Sequence, residues 1–172
     1  MESFLKLAKD RYSVRKYSDR EIEKEKMDIV LEACNVAPTG KNNQPQRIYV
    51  VKDPGVLAKL AELTPCTFGA GTVLAFAYDE EEEWKNPLEK GPHSGVQDVS
   101  IVASHAMLAA ADIGLGTCWV NYFANSLAEK ALGLPANERL VLLMPIGYPA
   151  DDSEPSASHS ATKPLESTVR FV

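Results

Sequence analysis

Residues 96–120, VQDVSIVASHAMLAAADIGLGTCWV, contain a predicted helix and the turn that ends it. Residues 96–113 are apolar almost all round the helical circumference, which predicts a helix buried on every side. Small residues such as Ala106 and Ala110 allow neighbouring backbones to approach closely. Gly114 ends the helix, and residues 117–120 read as a strand. The neighbours that such a helix needs come either from the core of a monomer or partly from a second subunit.

On the N-terminal side, two further helices are predicted before the first strand. The first ends near Arg11 and has an apolar face made by Phe4, Leu7 and Ala8. For the second, Ser18 or Asp19 is the expected N-cap and Pro38 closes it. Its apolar stripe consists of Met27, Val30, Leu31 and Cys34. Glu and Lys side chains occupy its other face.

Between these helices and residue 96, the apolar pattern changes from strand to helix and back. Residues 48–51 predict a strand and residues 56–63 a helix. Residues 73–78 predict a strand buried on both faces, because their apolar side chains do not alternate with polar ones. The acidic run 79–83 reads as a solvated loop. The alternative is a mobile lid above a ligand, for which Trp84 is the reason.

The C-terminal third continues with a helix, a strand and an arm. Ser126 and Glu129 form a capping-box pattern for a short helix that ends at Gly133. Residues 140–144 predict another buried strand. Residues 150–162 lack an apolar period and are rich in Ser, Ala, Asp and Pro, which predicts an extended arm over the surface.

Composition predicts one domain spanning residues 1–172. The net charge of −6 argues against nucleic acid or anionic lipid as a partner, so a phosphate ligand requires a local basic site. No apolar run reaches membrane-spanning length, and the charged N-terminus lacks the apolar core of a signal peptide. The 3 cysteines form neither a metal-ligand spacing nor an even disulfide set. A cytoplasmic protein with reduced thiols is expected, and no metal ligand is predicted.

A candidate anion-binding group follows the first predicted helix. Arg11, Ser13 and Arg15 are spaced two residues apart, so in an extended segment their side chains project to one side. Two guanidinium groups and a hydroxyl suit the oxygens of a phosphate dianion. The alternative is an ordinary solvated basic helix end. We call these three residues the basic segment.

A loop rich in side-chain amides, residues 38–45, separates the second predicted helix from the first strand. It begins with Pro38 and Thr39 and contains Asn42, Asn43 and Gln44. Amides both donate and accept hydrogen bonds, which suits a flavin ring edge that presents two carbonyls and one N–H. An ordinary polar connection is the alternative. We call residues 38–45 the amide loop.

Taken together and in this order, these motifs resemble the FMN-dependent nitroreductase family. The resemblance rests on blocks along nearly the whole chain: Arg11-x-Ser13-x-Arg15, Ala37-Pro38-Thr39 with Asn42-x-Gln44-Pro45, Ala109-Ala110-Ala111, Leu115-Gly116-Thr117-Cys118-Trp119 and Gly147-Tyr148-Pro149. It implies an α+β fold with a central, mostly antiparallel sheet wrapped by helices. It also implies a homodimer with two equivalent FMN sites at the interface.

The same resemblance assigns cofactor-binding roles to individual residues. The basic segment would hold the phosphate and ribityl end, with Tyr12 contributing backbone contacts. Asn42 and Gln44 would come from the other subunit toward the ring, and Pro38 and Thr39 of the same loop are also assigned to cofactor binding. The reactive edge of the flavin would lie along Trp119, Val120 and Asn121, whose backbone N–H groups can stabilise charge on the reduced ring.

Two positions depart from the family pattern. Gln46 follows the Gln-Pro pair where an aromatic residue is common. Thr162 stands where the family often has an arginine, so that Lys163 is expected to serve the phosphate.

The implied activity is ping-pong transfer of electrons from NADH or NADPH to an electron-poor acceptor such as a nitroaromatic, a quinone or an enone. Since the cofactor performs the redox step, no catalytic side chain is predicted. Two alternatives remain at this point. One is a protein that stores, senses or delivers FMN without turnover, and the other is a same-fold enzyme with another reaction, such as reductive dehalogenation.

Overall fold

A four-stranded antiparallel sheet with strand order β1-β2-β4-β3 forms the centre of the fold. The computed structural model describes residues 3–91 and 93–172. Its strands are β1 (Gln46–Val51), β2 (Val73–Asp79), β3 (Gly116–Thr117) and β4 (Glu138–Gly147). Its helices are α1 (Phe4–Asp10), α2 (Lys24–Asn35), α3 (Pro54–Leu63), α4 (Gly95–Asp112), α5 (Asn125–Leu132) and α6 (Leu165–Thr168). The predicted α+β architecture with an antiparallel sheet is confirmed.

Helices cover both faces of the sheet, and each face has its own apolar core. On one face, α2 and α4 pack over Leu74, Phe76 and Met144. On the other face, α3 and α5 pack over Ala75 and Leu143. The central strand β2 is therefore buried on both sides, as its continuous apolar sequence predicts.

Helix α4 matches its predicted bounds to within one residue, but it is not buried on every side. Val99, Val102 and Ala106 face the core, whereas Ile101 on the opposite side is exposed. Only one side of the helix lies against the sheet and α2. Its second apolar side therefore has no cover within the described part of the protomer.

Two predicted helix caps are wrong because the predicted capping residues form hydrogen bonds with residues that are distant in sequence. Helix α2 begins at Lys24 after Glu23, not after Ser18 or Asp19. The Ser18 backbone N–H instead donates to Tyr148 C=O, which holds the preceding segment away from the helix.

Helix α5 follows Ala124, whose side chain makes no capping bond, so the capping box of Ser126 and Glu129 is not formed. The Glu129 carboxylate instead accepts from the Leu140 backbone N–H in β4.

The strand predicted over residues 117–120 is interrupted after Thr117. Cys118 N–H donates to Pro145 C=O, but proline has no N–H to return a second bond, so the ladder breaks there. Pairing resumes only at an isolated bridge between Val120 and Leu143.

The acidic run is not a solvated loop throughout. Asp79 ends β2 and is buried, with Arg47 and Asn137 as side-chain partners. Glu83 is also buried and accepts from the Gly95 backbone N–H. The solvated-loop interpretation is therefore wrong at these two positions.

Among the helices of the described ranges, none combines the length and the apolar character that spanning a membrane requires.

Candidate functional site

The basic segment lies extended between α1 and strand β3. Val14 N–H donates to Thr117 C=O at 2.9 Å, and Ser13 forms a parallel bridge to Thr117. Val14 is buried, whereas Arg15 is exposed and Arg11 and Ser13 are half-buried. Because side chains alternate in an extended chain, Arg11, Ser13 and Arg15 share the side opposite Val14.

Gly116 in β3 allows the basic segment to pack closely against this strand. A Cβ atom at position 116 would lie 2.4 Å from Val14 Cγ2 and 2.8 Å from Val14 Cβ. The backbone of residues 13–15 can therefore approach β3 this closely only because position 116 has no side chain.

All three residues of the basic segment influence the pKa of the thiol of Cys118, the residue that follows β3. Burial is the dominant influence and raises the pKa of this thiol above its usual value. The charges of Arg15 and Arg11 and a hydrogen bond with Ser13 oppose that rise. The basic segment thus brings two positive charges and a hydroxyl together beside β3.

The side chain of Tyr12 points away from this group, toward the C-terminal arm. Its hydroxyl donates to the Ser153 backbone carbonyl at 3.2 Å, and its ring meets the edge of the His159 ring. A ligand held by the basic segment would therefore meet the backbone of Tyr12.

The amide loop has an unusual backbone. Lys41, Asn42 and Gln44 adopt left-handed φ angles of 51°, 56° and 54°, which cost roughly 1–2 kcal/mol each for residues with a Cβ atom. The Gln44 N–H donates to Thr39 Oγ1 at 3.0 Å, and Gln44 Nε2 donates to Asn42 Oδ1 at 3.2 Å. The side chains of Asn42 and Gln44 are exposed at the tip of the loop. Pro38 is exposed as well, whereas Thr39 is half-buried.

The basic segment and the amide loop lie at opposite ends of the protomer. The amide loop is joined to the first turn of α4, where Gly40 N–H donates to Asp98 Oδ1 at 2.8 Å. The basic segment pairs with β3, beyond the last turn of α4. In the sheet, Thr117 pairs with Ile146, while Gln46 pairs with Tyr78 and Tyr78 with Arg139. Counted along α4 from Asp98 to Gly114 just beyond its end, or along β4 from Arg139 to Ile146, the rise per residue puts the two groups roughly 25 Å apart.

Residues 119–121 lie between these two ends. The Val120 N–H donates to Leu143 C=O, which corrects the expectation that this N–H is free for a ligand. Within residues 3–91 and 93–172, the backbone N–H groups of Trp119 and Asn121 have no hydrogen-bond partner. The Asn121 side chain is fixed at both ends, since it accepts from Trp119 Nε1 at 2.5 Å and donates to Val141 C=O at 2.9 Å.

Lys163 lies in the exposed C-terminal arm just before α6. Its role at the phosphate stays a prediction.

Two residues near the amide loop escaped the sequence-based prediction. Asp98 anchors the loop although it lies within a mostly apolar helix, and a carboxylate in the first turn of such a helix was the available signal. The side-chain carbonyl oxygen of Gln46, directly after the loop, is buried and has no partner among the described residues. An orphaned buried acceptor is costly.

The uncovered side of α4 forms an apolar groove of about 700 Å³ together with α1 and α2. Phe4, Ile101 and Leu108 supply much of its apolar wall, and Ser100, Ser104 and Ala109 line it with small side chains. The groove runs along the helix that joins the two candidate binding groups.

Among the described residues, no group of His, Cys, Asp or Glu side chains has an arrangement that could hold a metal ion.

Comparison with known proteins gives one consistent family. The sequence profile of the Nitroreductase family matches residues 8–67 and 62–148. A relative from Archaeoglobus fulgidus, whose name includes NAD(P)H nitroreductase, is 34% identical over 160 residues, with 90% of each chain covered. The crystal structure of a nitroreductase family protein from Clostridium difficile 630 superposes with a TM-score of 0.91 at 34% identity, covering 99% of this chain and 98% of that one. A Desulfovibrio desulfuricans structure, described as a nitroreductase in complex with FMN, superposes with a TM-score of 0.82 at 26% identity, covering 100% and 98%.

Proposed function

Since this chain belongs to the nitroreductase family, we propose that it is an FMN-dependent oxidoreductase that takes electrons from NADH or NADPH. Its acceptor would be a small electron-poor molecule such as a nitroaromatic, a quinone or an enone. A relative named as an FMN reductase [NAD(P)H] and the neighbour crystallised with FMN support the two cofactors.

The observation that carries the proposal is the chemistry of the two donor groups. On a chain with a net charge of −6, Arg11, Ser13 and Arg15 project from one side of an extended segment. They supply charge-assisted donors that fit a phosphate dianion. Asn42 and Gln44 present both donors and acceptors at the tip of a rigid loop, which fits the pyrimidine edge of a flavin. The residues present therefore fit FMN at both of its polar ends.

A homodimer would bring these donor groups together at each site. An isologous pair with the two α4 helices antiparallel places the basic segment of one protomer next to the amide loop of its partner. The uncovered groove along α4 supports this arrangement, because an apolar surface of that kind favours a protein interface.

FMN, when bound, would supply the redox chemistry by accepting a hydride from the nicotinamide and then reducing the acceptor in a ping-pong sequence. The chain's own part is binding and orientation. Arg11 and Arg15 would hold the phosphate, with the Tyr12 backbone beside them and Lys163 reaching the same anion from the C-terminal arm. The backbone N–H groups of Trp119 and Asn121 would donate to the flavin edge, since they are not used within the sheet.

The visible spectrum of the freshly purified protein is the first test. We expect flavin absorption that bleaches promptly when NADH or NADPH is added anaerobically, and recovers with a nitroaromatic, a quinone or an enone. Flavin that stays oxidised for hours would favour storage or delivery of FMN instead. A protein that binds no FMN from excess cofactor would contradict the proposal.

A further inference from the structure

A buried carboxylate at the start of α4 connects the amide loop to the body of the protein. Asp98 is 3% exposed and lies in the first turn of the helix. Its Oδ1 accepts from the Gly40 backbone N–H at 2.8 Å, and its Oδ2 accepts from Ser94 Oγ at 2.6 Å. A carboxylate is favourable at a helix N-terminus, and here one of its oxygens is committed to a separate loop.

A third segment packs into the same junction. The Trp84 N–H donates to Ser94 Oγ at 3.0 Å, and the Ser94 N–H donates to the Trp84 carbonyl at 3.0 Å. A Cβ atom at Gly40 would lie 3.1 Å from Trp84 Cβ and 3.2 Å from Ser94 Oγ. We call Gly40, Trp84, Ser94 and Asp98 the Asp98 clasp. It holds the backbone of the amide loop tightly at one residue.

The part of the loop that follows the clasp needs such a support. Lys41, Asn42 and Gln44 all have left-handed φ angles, and unfavourable backbone conformations persist only where the surroundings determine them. The bond from Gly40 N–H to Asp98 is partly buried, which makes it stronger than an amide hydrogen bond in full contact with water. Loss of that bond would allow the loop to relax and its two amide side chains to change direction.

We infer that Asp98 is a positioning residue for the flavin ring, which acts through Gly40 to hold Asn42 and Gln44 in their binding geometry. The inference rests on the proposed function. Asp98 touches neither cofactor nor substrate in this account. Its effect is transmitted by one backbone hydrogen bond.

The test uses four variants of the full chain. Asp98→Ala removes both accepted bonds. Asp98→Asn keeps an oxygen toward Gly40 and is the conservative rescue, because the Ser94 hydroxyl can accept as well as donate. Gly40→Ala leaves Asp98 in place and adds a Cβ atom 3.1 Å from Trp84 Cβ and 3.2 Å from Ser94 Oγ, so that the loop and the rest of the clasp must move apart by a few tenths of an ångström. Glu62→Ala, which removes an exposed carboxylate from α3 on the other face of the sheet, is the matched control.

Two readouts separate loop order from cofactor binding. Amide hydrogen exchange of residues 38–46 in the apoprotein should be faster in Asp98→Ala and Gly40→Ala than in the natural protein. The dissociation constant for FMN should rise about tenfold or more in these two variants, and the spectrum of any bound flavin should move toward that of free FMN. Asp98→Asn should bind within about threefold of the natural protein, and Glu62→Ala should match it.

Unchanged exchange and unchanged FMN affinity in Asp98→Ala would overturn the inference while leaving the proposed function intact. If Asp98→Ala does not fold, Gly40→Ala decides by the same two measurements. If Asp98→Asn is as defective as Asp98→Ala, the negative charge matters rather than the bond to Gly40, and the inference is also overturned. A natural protein that binds no FMN would remove the proposed function itself, and this inference with it.

Discussion

Arg11, Ser13 and Arg15 show how much of a site local spacing can predict. A two-residue period in an extended chain places side chains on one side whatever the rest of the fold, and the structure has this alternation around buried Val14. The roles of these side chains as FMN ligands remain a prediction.

At the same scale, Arg11→Ala and Arg15→Ala should each weaken FMN binding by about 1.5–3 kcal/mol, or roughly ten- to a hundredfold, because each removes a charge-assisted contact to the phosphate. Equilibrium dialysis followed by a visible spectrum measures the loss. Arg139→Ala is the control, since that arginine pairs with Glu80 at the other end of β4. Full retention of flavin in both variants would show that the phosphate lies elsewhere.

A second residue-level prediction concerns the start of α2. The Tyr148 hydroxyl donates to Glu23 Oε2 at 2.6 Å. This bond, the backbone at Glu23 and then Arg20 lower the pKa of Glu23 from 4.5 to about 2. A lowered pKa in the folded state stabilises the protein above the unfolded-state value, and this contribution is lost as the pH falls from about 4.5 toward 2.

Tyr148→Phe should therefore destabilise the protein at neutral pH and have progressively less effect as the pH falls through this window. The substitution retains an aromatic ring, over which the Arg20 guanidinium lies at 3.9 Å, so it isolates the hydroxyl. Urea unfolding of both proteins at several pH values measures the difference. A difference that stays constant down to the acid end would mean that the hydroxyl acts through packing and not through the ionised Glu23.

Among the elements, those with a continuous local pattern were predictable. The apolar run of β2 and the long apolar span of α4 each specify an element without reference to the rest of the chain. Long-range contacts decided the others. The Ser18 N–H donates to the Tyr148 carbonyl, and the Glu129 carboxylate accepts from the Leu140 N–H and does not cap α5. Burial of Asp79 and Glu83 likewise depends on Arg47, Asn137 and Gly95, which are distant in sequence.

The contact between the basic segment and β3 gives an element-level prediction. Gly116→Ala should cost about 1–3 kcal/mol of unfolding free energy, because the new Cβ would collide with Val14 and the segment would have to move. FMN binding should weaken with it, since the same segment carries Arg11, Ser13 and Arg15. Urea unfolding and FMN titration measure the two effects.

Gly71→Ala is the matched control for that variant. A Cβ atom at position 71 would meet nothing within 4 Å, so stability should change by no more than about 0.5 kcal/mol. Equal effects at both glycines would show that β3 does not require close approach of the basic segment.

At the scale of the whole molecule, the decisive quantity is the separation of the two donor groups. Sequence spacing predicts each group but cannot give the distance between them, which depends on the length of α4 and on the register of β4. With roughly 25 Å between their anchors, the proposed FMN site takes one group from each protomer. We therefore expect a dimer by sedimentation, with the groove beside Ile101 and Leu108 covered.

A heterodimer tests the shared site directly. One chain carries Arg15→Ala and the other carries Asn42→Ala with Gln44→Ala, and the two are coexpressed with different affinity tags and purified in tandem. If each site combines the basic segment of one chain with the amide loop of the other, both defects fall in one site and the second site is intact. The heterodimer should then hold about one FMN of natural affinity per dimer, whereas each parental homodimer binds weakly at both sites. If both groups instead act within a single chain, each site carries one defect and neither regains natural affinity.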